Sequence, residues 1–208
     1  MTQDQPLSFA GGMLGVHRHV CAFFESRDEE DRTLLPFITD GFAQGDRAYH
    51  IVDPEAREEH LQRLTDAGID VVATQASGQL VVAGWHETYL REGRFDLHKM
   101  LTLIEQILRS NDGALYPITR LIAHMGWALQ DRPGVGDLVE YESRVNYVTT
   151  GYRDVVICTY DLAEFQGHIV TDIMRTHPMV IIGGVLQQNP FYVPPDDFLR
   201  EMRPRLTG

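Results

Sequence analysis

Short apolar runs alternate with helix-patterned segments along nearly the whole chain, and this alternation decides the fold class. The runs are "HVCAFF" (19–24), "RAYHIV" (47–52), "QLVVAGW" (79–85), "PITRLIAHM" (117–125), "DVVICTY" (154–160) and "MVIIGGV" (179–185). Strands buried on both faces of a parallel sheet show such unbroken apolar character. Between them lie helical signals. Ser26 and Glu29 have capping-box spacing, and Leu34, Phe37, Ile38 and Phe42 follow at helical intervals. Pro36 falls inside that helix and is expected to kink it. Asp53 with Pro54 predicts a second helix start, and Gly68 its end. "DVV" (70–72) and "QLVVAGW" predict one or two strands around Gly78. Asp96 caps a helix whose stripe is Leu97, Met100, Leu101, Ile104, Ile107 and Leu108. Further helices are expected over 137–149, 162–176 and "DDFLREMR" (196–203). The pattern predicts an α/β protein of three layers, a mostly parallel sheet with helices on both faces. Residues 1–15 read as a flexible lead and 16–208 as one domain, with "RSNDGALYP" (109–117) as ordinary turn chemistry.

The turn after the first strand narrows the function. "ESRDEE" (25–30) carries four carboxylates and no glycine. A Walker-type loop needs G-x-x-x-x-G-K-[ST] there, because backbone N–H groups and a lysine must neutralise phosphates. Lys99 is the only lysine, and it lies in a helical stretch. The glycines at 11, 12 and 15 precede the strand, so the dinucleotide fingerprint fails as well. No specific ATP binding is expected, and the cofactor is left unknown. Neither G-x-S-x-G nor H-E-x-x-H occurs. With 30 acidic against 18 basic residues the net charge is -12. That disfavours direct contact with nucleic acid or an anionic membrane. No apolar run reaches the roughly 20 residues of a bilayer span. The N-terminus lacks a secretory pattern, so a cytoplasmic location is expected. Two cysteines make no disulfide framework.

In a parallel sheet, ligands sit beyond the carboxyl ends of the strands. The residues there combine apolar bulk with a few polar groups, as a pocket requires. The expected small-molecule site is lined by Cys21, Phe23, His124, Trp127, Cys158 and Tyr160, with His19 on the face of Cys21. No metal-ligand spacing is present, so no metal is expected; the alternative set is His19, Cys21 and Cys158. Glu142 and Asn146 share a helix face and read as solvated. His177, before Pro178, reads as a helix-end charge. Asn189, Pro190, Tyr192, Pro194 and Pro195 make a stiff segment suited to a pocket mouth or an interface. Asp53 reads as a helix cap alone.

Several tracts carry a resemblance: "HVCAFFE", "LLPFITDGFAQGD", "YLREGRFDLHKML", "MGWAL", "YESRVN", "CTYD" and "THPMVIIGGVLQQNPFYVPP". In this order and spacing the chain resembles the MEDS family of sensory domains, over roughly residues 16 to 199. The resemblance implies a RecA/KaiC-like architecture without the phosphate loop. The first strand then lies beside "VVICTY", and Cys158 approaches Cys21. It also implies a non-enzymatic role: binding a small, hydrocarbon-derived molecule and signalling to a sensor kinase, an anti-sigma-type module or a transcription regulator. No such module follows in this sequence, so output is expected through a separate protein or through self-association into a homo-oligomer. Family members commonly carry an acid where this chain has His124, which implies a different ligand preference. The alternative function is an enzyme, derived from a degenerate nucleotidase or built as a Cys-dependent hydrolase.

Overall fold

A computed structural model of the chain describes residues 6–110 and 115–206. It opens with an antiparallel pair, β1 (Leu7–Phe9) and β2 (Gly12–Leu14). The main sheet contains β3 (His19–Phe24), β4 (Arg47–Val52), β5 (Leu80–Gly84), β6 (Thr119–His124), β7 (Val155–Asp161), β8 (Met179–Ile182) and β9 (Val185–Gln188). Their order is β5-β4-β6-β7-β3-β8-β9, all parallel except the edge strand β9. Among the described residues seven α-helices connect or follow them: α1 (Arg27–Ala43), α2 (Arg57–Asp66), α3 (Val71–Ser77), α4 (Leu97–Arg109), α5 (Leu138–Thr149), α6 (Gly167–Thr176) and α7 (Pro195–Leu206). This is the expected three-layer α/β architecture.

The two-residue period of the strands sorts side chains into two cores. Cys21, Phe23, Val156, Cys158 and Tyr160 pack with α4, α5 and α6 on one face. Val20, Ala22, Phe24, Val155 and Ile157 pack with α1, α2 and the β1–β2 pair on the other. β3 lies beside β7, and Cys21 is registered opposite Cys158.

Several local expectations change. Of the lead, residues 1–5 lie outside the described residues. Residues 7–14, expected to be flexible, form a hairpin whose Phe9 and Leu14 are core residues. Gly12 lets it dock, since a Cβ there would meet the Leu186 carbonyl oxygen at 2.5 Å. "DVV" belongs to α3, not to a strand. Asp70 Oδ1 accepts the Ala73 N–H at 2.9 Å, and Gly78 ends the helix at φ 78°. "MVIIGGV" is a strand and a turn, because Gly183 and Gly184 both take positive φ and reverse the chain into β9. Asp53 accepts the Glu55 N–H at 2.9 Å and α2 starts only at Arg57. α6 likewise starts late, at Gly167. α1 begins where its capping residue predicts, with Ser26 Oγ accepting the Glu29 N–H at 3.3 Å, and runs on through Pro36. The turn read over 109–117 falls partly on residues 111–114, outside the described residues. Among the described residues no helix is long and apolar enough to cross a membrane.

Candidate functional site

The ends of five parallel strands converge on one crevice of about 200 Å³. Phe24 comes from β3, Asp53 follows β4, and Trp85 follows β5. His124 ends β6, with Met125 and Gly126 after it. Thr159, Tyr160 and Asp161 end β7. Ser26, Arg27 and Glu30 from the start of α1 form a wall, with Glu164 and Phe165 opposite. Arg27 donates to Glu30 at 2.8 Å, and His124 Nε2 lies 3.2 Å from the same carboxylate. Trp85 Nε1 donates to the His124 carbonyl at 2.9 Å, and its ring lies where a Cβ on Gly126 would come within 3.1 Å.

Of the expected lining residues, His124 and Tyr160 face this crevice. Cys21, Phe23, Trp127, Cys158 and His19 do not line it and are buried in the core. Trp127 stacks on Tyr89 at 4.6 Å. Trp85, just after β5, lines the crevice in place of Trp127, three residues past the end of β6.

His19 and Cys158 belong to a second constellation, wholly buried. His19 Nε2, Glu142 Oε2, Cys158 Sγ and His177 Nε2 lie within 4.8 Å of one another. Cys21, named in the alternative ligand set, is not one of the four. Its Sγ is 3.7 Å from the Met179 carbonyl. Glu142 and Asn146, read as solvated, are buried, and so is His177, read as a helix-end charge. Glu142 was legible in principle: it interrupts an apolar helix stripe between Leu138 and Val145. His177 gave no such signal, because an imidazole before a proline at a helix end suits capping equally well.

The hydrogen bonds around this cluster fix its tautomers. Asn146 Nδ2 donates to the carbonyls of Thr176 (2.7 Å) and Ser143 (3.0 Å), so its Oδ1 faces His19 Nδ1 at 3.1 Å and accepts. His19 Nε2 is left pointing inward. His177 Nδ1 donates to the Ile173 carbonyl at 2.9 Å, turning its Nε2 toward Glu142. Tyr160 donates its hydroxyl to Glu142 Oε1 at 2.7 Å, leaving Oε2 for the cluster. Burial, then the His177 charge, pushes His19 down to about 4. Burial works to raise Glu142, but the contacts of His177 and His19 overturn it and hold the carboxyl below its ordinary range. Burial opposes the His177 imidazolium, yet the Cys21 and Cys158 sulfurs and Glu142 hold its pKa well above 6.5. Burial and the Glu142 charge push the Cys158 thiol up to about 12. A carboxylate, a thiol and two imidazoles so arranged can hold a metal ion.

A third group lies on the opposite face. His50 Nδ1 and His60 Nε2 are 2.9 Å apart, and the His60 ring stands edge-on to His124 at 5.8 Å.

A family model described as "MEthanogen/methylotroph, DcmR Sensory domain", or MEDS, matches residues 18–178. The chain belongs to the MEDS family. One curated MEDS-like relative is the transcriptional repressor DcmR of Methylorubrum extorquens, 24% identical over 170 residues. That match covers 81% of this chain and 61% of the relative, so the chain spans about three fifths of the repressor's length. The fold of this MEDS chain is similar to two solved structures from Pyrococcus horikoshii. An uncharacterized protein in complex with an unknown peptide gives a TM-score of 0.59 at 12% identity, covering 80% of this chain and 77% of that one. A KaiC-like protein gives 0.55 at 13%, covering 83% and 73%. The family places the chain among sensory domains, and the structural likeness shows a RecA/KaiC-like fold.

Proposed function

We propose that this MEDS domain is a non-enzymatic sensor that binds a small organic molecule in the crevice and passes its occupancy to a separate regulatory protein. The observation that carries the reading is the convergence of five strand ends on one crevice with a mixed wall. Trp85, Tyr160 and Phe165 offer apolar and aromatic surface, while Arg27, Glu30 and His124 offer hydrogen bonds. A pocket that orients a modest ligand needs this mixture. The family resemblance supports a hydrocarbon-derived ligand, and the repressor relative supports a transcriptional output. α1 starts in the crevice wall, so it is the element through which occupancy reaches the surface. A ligand shifts such an element only by binding its two states unequally.

The alternative of a Cys-dependent hydrolase is disfavoured on chemical grounds. A nucleophilic cysteine needs access and thiolate character. Cys21 and Cys158 are both fully buried, and the Cys158 thiol is pushed up to about 12. A thermal-shift screen against short-chain alcohols, aldehydes, amines and haloalkanes tests the sensor reading, with Mg-ATP as an added arm and the recovered compounds assayed for conversion. At least one organic class should raise the melting temperature saturably, with no turnover and with a weaker shift in Arg27→Ala. No shift from any organic class, or turnover of the compound that binds, would contradict the reading.

A further inference from the structure

We infer that His19, Glu142, Cys158 and His177 form a four-coordinate site for one zinc-class divalent ion. The four residues come from β3, α5, β7 and the α6–β8 junction, so no sequence spacing announces them. Their geometry does. Metal bonds of about 2.0–2.3 Å to nitrogen, oxygen and sulfur place the corners of a tetrahedron roughly 3.3–3.7 Å apart. Here Glu142 Oε2 lies 3.4 Å from His19 Nε2, 3.2 Å from His177 Nε2 and 3.5 Å from Cys158 Sγ. Cys158 Sγ lies 3.8 Å from His19 Nε2. Four of the six donor–donor edges thus fall at or near those of such a tetrahedron, and all four atoms lie within 4.8 Å of one another.

The surrounding shell supports the same reading. Metal-bound imidazoles donate their other N–H to a carbonyl, an amide oxygen or a carboxylate, and ligating carboxylates are held on their free oxygen. Both histidines and Glu142 show this arrangement, through Asn146, the Ile173 carbonyl and Tyr160 respectively. A second, independent observation comes from His177. Its Nε2 is buried and lies 3.2 Å from Glu142 Oε2, yet it makes no hydrogen bond among the described residues. Only the Glu142 charge and the neighbouring sulfurs attend this buried atom, and a coordinated ion would satisfy it. The ion that fits takes mixed nitrogen, oxygen and thiolate ligands in a closed tetrahedral set, which favours zinc over magnesium or calcium. The site does not depend on the crevice having a ligand, though Tyr160 belongs to both: it lines the crevice and holds Glu142.

The test uses the purified full chain. Elemental analysis should find about one zinc per chain, or the metal-free chain should take up one Co²⁺. The cobalt form should show tetrahedral ligand-field bands and a thiolate-to-cobalt charge-transfer band, both bleached by Zn²⁺. Cys158→Ser should lose the charge-transfer band, and Cys21→Ser should keep it. Because loss of a ligand can unfold the core, Asn146→Ala provides a milder variant. It keeps all four ligands and should bind Co²⁺ about 10–100-fold more weakly. Protein that is folded by circular dichroism, contains no metal and gives no saturable cobalt spectrum overturns the inference. So does a charge-transfer band that survives Cys158→Ser, or one that Cys21→Ser abolishes.

Discussion

His50, His60 and His124 show how burial, joined by neighbouring charges, sets the chemistry of a side chain. Burial, with the His124 charge behind it, pushes His50 down to about 3. Burial and the neighbouring charges of His50, His124, Arg63 and Arg27 lower His60 as well. His124 is lowered by burial against the opposing pull of Glu30. All three imidazoles are therefore neutral in the fold, whereas in the unfolded chain they protonate near pH 6.5. Below about pH 6.5, and down to the lowered folded values, the unfolded state binds protons that the folded state refuses. Stability should thus fall as pH falls through that window, by up to about 1.4 kcal/mol per pH unit for each such histidine. Urea unfolding at a series of pH values checks this, and His60→Gln should flatten the slope; an unchanged slope would contradict it. Single residues were also where the sequence was hardest to read. His19 and Cys158 were picked out by type, and they do meet in space. Their partners Glu142 and His177 were missed, because a carboxylate and an imidazole at helix positions have common solvent-facing explanations. Only the burial of α5 and of the α6–β8 junction in the fold distinguishes the two cases.

At the level of elements, the central strands were legible because their apolar runs are continuous and bounded by turn residues. β3, β4, β6 and β7 stand where those runs predict. The short edge elements were not legible. Val71 and Val72 suggest a strand by type, but the cap at Asp70 and the left-handed Gly78 close a seven-residue helix around them. No residue of α3 is fully buried and only the half-buried Val71 packs against the apolar core, so its caps matter more. Asp70→Ala should cost about 1 kcal/mol, and it should lower amide protection over residues 71–77. Asp70→Asn, which keeps an acceptor at the cap, should restore most of both. Equal loss in the two variants would show that the cap does not hold the helix. The β8–β9 hairpin was hidden for a related reason. By sequence Gly183 and Gly184 continue an apolar strand, whereas their positive φ values reverse the chain.

Across the whole molecule, the strand order creates the crevice. β7 and β3 lie at the centre, their neighbours β6, β4 and β5 extend to one side, and all five release the chain at the same edge. The position of the crevice followed from the βα alternation; its lining did not. Which residue past each strand turns inward depends on loops such as 125–129, where Gly126 gives the Trp85 ring room. Trp85 therefore reports on occupancy of the crevice. The chain has two tryptophans. Trp127 is fully buried, and its Nε1 has no hydrogen-bond partner among the described residues, so Trp127→Phe removes an orphan donor and leaves Trp85 as the sole tryptophan. The decisive measurement is the emission of Trp85 in that variant, titrated with an organic compound that raises the melting temperature. Trp85 emission should change saturably, with the same midpoint as the melting shift. Saturable binding that leaves Trp85 emission unchanged would contradict this and place the ligand away from the crevice.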